Sequence, residues 1–128
     1  MTHDSFDTTV SATQRVTHAL DVATTPQAQH VFTQLYADAA LARAQQCDAA
    51  AQSGRRQGDL HGVCLTLKDN LDVAGETTLA GGVVCTGEDP AQQDAIVVQR
   101  LRNAGAVVLG KTNMSEFAFS GVGINPHH

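Results

Sequence analysis

The sequence has 128 residues, with 8 Lys or Arg against 13 Asp or Glu, and a formal net charge of -5 at pH 7. This length favours one domain with a modest core, and a hydrophobic content of 42% is compatible with a globular fold. The few, scattered basic residues argue against a surface that neutralises phosphates, so no nucleic-acid binding is expected. With no tryptophan and only 4% aromatic residues, a platform for stacking bases or sugars is also disfavoured.

The cysteines and the N-terminal residues indicate the cellular compartment in which the protein is expected. Cys47, Cys64 and Cys85 are widely spaced and form no C-x-x-C pair, which favours a reducing environment over disulfide or zinc chemistry. The first 22 residues lack the basic stretch and apolar run of a signal peptide, and no apolar segment is long enough to cross a membrane. We therefore expect a cytoplasmic protein without a membrane span.

The chain begins with a predicted flexible arm or loose helix over residues 1–27. This stretch is rich in Thr, Ser, Ala and Asp, and its apolar residues show no convincing period. A helix is predicted from Ala28 to Gln52, because alanine is abundant and one set of residues recurs in steps of three and four. That set is Leu35, Ala39, Ala42 and Gln46. The charged residues of this helix are expected on solvated faces: Asp38, Arg43 and Asp48.

A strand is predicted from Val63 to Leu67, with Lys68 at its end. Aliphatic residues at 63, 65 and 67 alternate with Cys64, Thr66 and Lys68, so a strand places the aliphatic side chains on one face. An ammonium group held near a core loses its hydration. We therefore expect Lys68 to be neutral, and a neutral lysine can act as a base.

The segment from Asp72 to Pro90 is predicted to be a loop, with a short strand near Val83, because glycine and proline are dense there. A loop of this length in a compact domain is more often functional than not. Asp94 is then expected to cap a helix that carries Val97, Leu101 and Ala104 on one face and ends at Gly105.

A second strand is predicted over Ala106–Leu109. Strand, helix and strand in succession favour a parallel pair within an α/β sheet. Beyond it, Asn113 with Glu116 three residues later predicts a capped short helix that extends through Phe119. The glycines that follow make the tail a loop.

Five short blocks resemble the amidase signature family of serine hydrolases. They are L-H-G-V at 60–63, K-D-N at 68–70, D-V-A-G at 72–75, G-K-T-N-M at 110–114 and E-F-A at 116–118. The blocks occur in the family's order, and the resemblance covers roughly residues 30–128. It implies an α/β fold with a mixed sheet flanked by helices, in which residues 28–128 form the N-terminal part of the domain.

In that family a lysine, a serine with a cis peptide bond and a nucleophilic serine form the catalytic group, and Lys68 matches the lysine. The resemblance implies that Lys68 takes a proton from the bridging serine, which deprotonates the nucleophile as it attacks an amide carbonyl. Water would then release the acyl-enzyme. The family's serines follow its N-P-H block, which is Asn125–His127 here, and the sequence stops at His128. We therefore expect a domain truncated before the serine-rich segment and inactive alone.

Other positions follow from the same resemblance. Asp69 and Asn70 are expected to orient the lysine or to cap the strand end. Lys111, Thr112 and Asn113 form a second polar cluster at a strand end. Asn113 is expected to satisfy the free amides of the next helix, or the cluster to line the site, two compatible roles, and Thr112 and Asn113 are assigned to structural support of the site.

The loop Phe117–Gly123 resembles the family segment that borders the acyl pocket. It makes Ala118 and Ser120 candidates for substrate contact. Ser120 lacks a G-x-S-x-G setting and is not expected to be a nucleophile.

No metal or organic cofactor is implied. His127 and His128 are adjacent, but neither an H-x-x-x-H pair nor a Cys and His set accompanies them, and no phosphate-binding glycine loop is present.

Three functions remain open from the sequence. The first is an amidase that hydrolyses a small-molecule amide. The second is the glutamine-hydrolysing component of the amidotransferase that amidates mischarged tRNA; the tail at 119–127 looks closer to general amidases. The third is a non-catalytic fragment that binds its missing C-terminal part or another protein. The identity of the amide and the formation of a homodimer are left open.

Overall fold

The structure is a computed structural model that describes residues 9–128. It contains helices α1 (Ala12–Ala23), α2 (Ala37–Gln52) and α3 (Ile96–Asn103), and strands β1 (Phe32–Leu35), β2 (Cys64–Lys68) and β3 (Val107–Thr112). Single 3-10 turns lie at Pro26–Ala28, Val84–Gly87 and Glu116–Ala118. No helix in this range is both long and apolar enough to cross a membrane.

The central strand β3 organises the sheet. It pairs antiparallel with β1 and parallel with β2, in the order β1-β3-β2. Val107 and Leu109 pack toward α1 and α2, whereas Val108 packs toward α3 and the long loop. Because helices or loops cover both of its faces, β3 is buried almost throughout. The predicted α/β fold and the parallel pair are therefore confirmed.

Helix α1 is a packed element, so of the two predicted alternatives the helix, and not the flexible arm, describes residues 12–23. Ser11 and Gln14 form a capping box at its start, with Gln14 N donating to Ser11 Oγ and Ser11 N to Gln14 Oε1. Ala12 and Val16 are buried against α2. Ala12, Val16 and Leu20 recur at helical steps, a period that small residues obscure in the sequence. Residues 1–8 of the predicted arm lie outside the described residues.

Asp48 holds α1 to α2, so the prediction that it lies on a solvated face is wrong. Its Oδ1 accepts from Ala12 N at 2.8 Å, and its Oδ2 accepts from Thr13 N at 3.0 Å and from Thr13 Oγ1 at 2.6 Å. Partial burial is the largest single influence on this carboxyl and favours its neutral form. The hydrogen bonds from Thr13 and Ala12 together outweigh burial and lower the pKa of Asp48 from its ordinary value of 3.8.

A lowered pKa means that Asp48 stabilises the fold above its ordinary pKa, and that this contribution is lost as the pH falls through the folded value. We expect the amide protection factors of Ala12 and Thr13, measured by NMR hydrogen exchange, to fall as the pH drops below 3.8. Asp48→Asn should lower them about tenfold at neutral pH, the cost of a lost cap. The exposed Asp89→Asn is the matched control. Equal protection in Asp48→Asn and Asp89→Asn would contradict the anchoring role.

The helix predicted from Ala28 begins only at Ala37, because β1 occupies part of that stretch. Leu35 lies in β1 and pairs with Gly110 of β3. The buried stripe of α2 consists of Ala40, Ala44 and Cys47, whereas the predicted positions 39, 42 and 46 are exposed. The predicted end at Gln52 is correct. Pairing with β3 is a long-range contact, so the local helical pattern could not predict β1.

Two predictions for the segment before β3 are also wrong. A 3-10 turn replaces the strand predicted near Val83. Asp94 is not the N-cap of α3, because its carboxylate accepts from Ala74 N at 2.9 Å and pairs with Arg102. The buried residue of α3 is Val98, while Val97 is exposed. Gly105 ends the helix as expected, and its φ of +96° is a conformation that favours glycine.

Candidate active site

The parallel strands β2 and β3 end side by side, with Lys68 opposite Thr112. The end of β2, the end of β3 and the loop that follows β3 line an open cavity of about 390 Å³. It is lined by Lys68, Thr112, Asn113, Met114, Ser115, Ala118, Ser120, Gly121 and Gly123. Two distant parts of the sequence therefore meet at the carboxyl edge of one parallel pair.

Five of the seven predicted site residues line this cavity: Lys68, Thr112, Asn113, Ala118 and Ser120. The other two do not. Asp69 is buried behind the strand ends, and Asn70 is an exposed turn residue. The chemical roles of all seven remain predictions.

Lys68 is exposed, so the prediction that it lies near the core is wrong for the described residues. The alternation of β2 explains this, because Leu67 occupies the buried face and the next side chain emerges on the other side. Burial therefore does not provide the reason for expecting a neutral Lys68. Among residues 9–128, Lys68 forms no ion pair.

The buried lysine at this site is Lys111. Its Nζ lies 3.1 Å from Asp69 Oδ1, and the two side chains are 1% and 3% exposed. The distance is that of an ion pair, but Nζ has no partner with hydrogen-bond geometry within the described range. Sequence analysis placed Lys111 in a polar cluster without identifying this partner, which lies 42 residues earlier on the neighbouring strand end.

Asp69 also fixes the turn at Ala80 and Gly81. Its Oδ2 accepts from Gly81 N at 3.1 Å, and its backbone carbonyl accepts from Ala80 N at 3.1 Å. Gly81 has a φ of +72°, and a Cβ at this position would lie 2.6 Å from Met114 O. A side chain is therefore excluded where this turn meets the end of β3.

Asn125 binds the tail to the same turn. It is 7% exposed, and its Nδ2 lies 2.6 Å from Gly81 O, 2.9 Å from Met114 O and 3.0 Å from Asn113 Oδ1. Two amide hydrogens are thus shared among three acceptors. The N-P-H block located this residue in the sequence, but its contacts connect segments that only the fold brings together.

The short helix predicted from Asn113 is a single 3-10 turn at Glu116–Ala118. Asn113 does not cap it, since Asn113 Oδ1 accepts from Met114 N and Asn125 Nδ2. Three non-glycine residues near the cavity have left-handed backbone: Ala80, Phe117 and Ala118, with φ of 52°, 51° and 58°. Such conformations cost free energy and concentrate at functional sites.

The two serine hydroxyl groups of the cavity accept hydrogen bonds from their own loop, whereas Thr112 Oγ1 donates to Leu67 O of the neighbouring strand at 3.2 Å. Ser115 Oγ accepts from Gly123 N at 3.0 Å, and Ser120 Oγ accepts from Val122 N at 3.2 Å. Within residues 9–128, no group of three or more His, Cys, Asp and Glu side chains could hold a metal ion.

Comparison with known proteins decides the family, because the profile of the family described as Amidase matches residues 14–127. The chain belongs to the amidase family. It is 44% identical over 110 residues to the A subunit of the Glutamyl-tRNA(Gln) amidotransferase from Acidothermus cellulolyticus, covering 85% of this chain and 22% of that protein. The indoleacetamide hydrolase of Bradyrhizobium diazoefficiens is 38% identical over 121 residues, covering 93% of this chain and 23% of that hydrolase.

Solved amidase structures share the fold. The peptide amidase of Stenotrophomonas maltophilia superposes with a TM-score of 0.72 at 39% identity, covering 84% of this chain and 22% of the peptide amidase. The chain thus spans less than a quarter of the length of these relatives. The resemblance to the amidase signature family is confirmed, and the chain corresponds to part of that fold.

Proposed function

We propose that Lys68 is the catalytic lysine of an amidase that hydrolyses carbon-nitrogen amide bonds through an acyl-enzyme. One observation carries the proposal: Lys68 lines the same cavity as Ala118 and Ser120, the residues expected to contact the acyl group. Membership of the amidase family supports the reaction class.

In this proposal Lys68 receives the proton of the bridging serine, and Ala118 and Ser120 border the acyl group. Lys68 forms no ion pair within the described residues, which supports this role, because an acidic partner would stabilise the ammonium form and leave less free amine to accept a proton. Asn70, Thr112 and Asn113 support the strand ends around it.

We assign the bridging and nucleophilic serines to the family segment that follows the N-P-H block. The hydroxyl groups of Ser115 and Ser120 already accept hydrogen bonds from amides of their own loop, which favours assigning the nucleophile elsewhere. The 128-residue chain alone is therefore expected to be inactive, and the serine-bearing part of the domain is its first partner. The three free cysteines suit a reducing compartment, and we propose the cytoplasm.

The test compares the native protein, after its intact mass is determined, with the isolated 128-residue chain. Each is incubated with small aliphatic and aryl amides, and ammonia release and covalent acyl adducts are followed by a coupled assay and by mass spectrometry. We expect both signals from the native protein and neither from the isolated chain. A native protein that releases no ammonia would overturn the hydrolase proposal and favour a non-catalytic binding role. Release by the isolated chain would overturn the assignment of the serines.

The second candidate is the glutamine-hydrolysing component of a tRNA amidotransferase. The 44% identity to the A subunit of a Glutamyl-tRNA(Gln) amidotransferase favours it. In that case the native protein would release ammonia from glutamine only when its partner subunits are present. Hydrolysis of simple amides without any partner would instead favour a general amidase.

A further inference from the structure

Lys68 and Lys111 are the only lysines in the sequence, and the fold brings them to neighbouring strand ends. Lys111 pairs in register with Leu67, while Lys68 pairs with Thr112. The two lysines therefore lie diagonally across one parallel pair, yet one is exposed in the cavity and the other is 1% exposed in the core.

Burying the charged side chains of Lys111 and Asp69 in the core costs free energy. Removing two charges from water costs several kcal/mol per ion, so a well-packed apolar pair is often as stable or more stable. The arrangement is also incompletely satisfied, since Lys111 Nζ lacks hydrogen-bond geometry to any described residue. Net stability is thus a weak explanation for this pair, whose carboxylate directly follows Lys68 in the chain.

We infer that Lys111 is a positioning residue: by pairing with Asp69, it neutralises the carboxylate nearest in sequence to Lys68 and so keeps the exposed amine free of an acidic partner. This inference rests on the proposed function of Lys68. The same carboxylate accepts from Gly81 N, so the pair also fixes the turn beside the site. An unpaired Asp69 carboxylate would favour the ammonium form of Lys68.

The other charged groups near the site are already engaged. Asp72 Oδ1 accepts from Thr78 Oγ1 at 2.7 Å, and Glu116 Oε1 faces His127 Nε2 at 3.8 Å. Lys68 is the one charged residue among those that line the cavity, and none of them is Asp, Glu, His or Cys. Asp69, which directly follows Lys68 in the chain, and its buried partner Lys111 are therefore the charges that the test removes.

Amine labelling tests the inference without requiring catalysis. The native protein is labelled with trace acetic anhydride between pH 7 and 11, and peptide mass spectrometry gives the pH of half-maximal labelling rate for Lys68. Lys111→Met should raise that pH by about one unit, because it leaves the Asp69 carboxylate unpaired. Asp69→Asn should lower it, because it leaves the Lys111 ammonium unpaired. The double variant should return it to the unsubstituted value.

Arg102→Met is the matched control, since it breaks the exposed pair with Asp94 and should leave the labelling of Lys68 unchanged. A purely structural role would give no opposite shifts in the two single variants, and that result would overturn the inference.

Circular dichroism verifies folding of each variant. If the single variants do not fold, the unsubstituted protein still provides a test. Lys111 should then label at least about 100-fold more slowly than Lys68, and similar rates would overturn the buried pairing.

If the proposed function is wrong but this inference is right, the labelling shifts remain while ammonia release is absent. If the inference alone is wrong, the native protein hydrolyses amides and the single variants show no opposite shifts. The two failures are therefore distinguishable.

Discussion

Replacement of Lys68 by Met is expected to lower kcat/KM for amide hydrolysis by the native protein about 1,000-fold, a typical contribution of a positioned general base. Methionine retains the apolar stem of the side chain and removes the amine. Because Lys68 is exposed at the end of β2, the substitution should leave the core intact. Initial rates of ammonia release, with thermal unfolding as a measure of folding, provide the measurement.

Two further variants make this result specific. Lys68→Arg retains a positive charge but cannot act as a base near neutral pH, so it should be as impaired as Lys68→Met. Thr66→Ala changes another exposed side chain of β2 on the same face and should retain activity. Substantial activity in Lys68→Arg would show that the charge, rather than proton transfer, is what the site requires.

Local sequence patterns predicted the parts of the fold that depend on neighbouring residues. The alternation before Lys68 predicted β2, and the apolar run after Gly105 predicted the start of β3. The resemblance to amidases placed Lys68 and Ala118 at one site, and the structure brings them to one cavity. The strand predictions succeeded because strand periodicity can be recognised within short blocks, whereas the chemical roles of Lys68 and Ala118 stay predictions.

The failures have a common physical cause, since each depends on a contact between residues distant in sequence. β1 was missed because only its pairing with β3 distinguishes it from a helix start. Asp48 was assigned to solvent because its partners are amides 35 and 36 residues earlier.

Lysine burial was assigned to the wrong residue for the same reason. Strand alternation places Lys68 on the face opposite Leu67, but it does not reveal whether that face is covered by other parts of the chain. Lys111 has a buried position because Asp69 lies across the strand pair, and no local pattern reports that partner.

The buried pair should also dominate stability when only one partner is removed. We expect Lys111→Met and Asp69→Asn each to lower the free energy of unfolding by about 3–5 kcal/mol, because each leaves a buried charge without its counterion. Asn at position 69 retains an oxygen that can accept from Gly81 N, so the loss should come from the charge rather than from that hydrogen bond. Urea unfolding of the native protein and its variants gives these values.

The double variant separates the cost of an unpaired charge from the value of the pair. With both charges removed, the free energy of unfolding should recover to within about 2 kcal/mol of the unsubstituted protein, since a neutral pair avoids the desolvation cost. Arg102→Met, which breaks an exposed pair, should change it by less than about 1 kcal/mol. Additive losses in the double variant would mean that the two side chains stabilise the fold independently. Recovery would mean that they act as a unit and that the pair adds little to net stability.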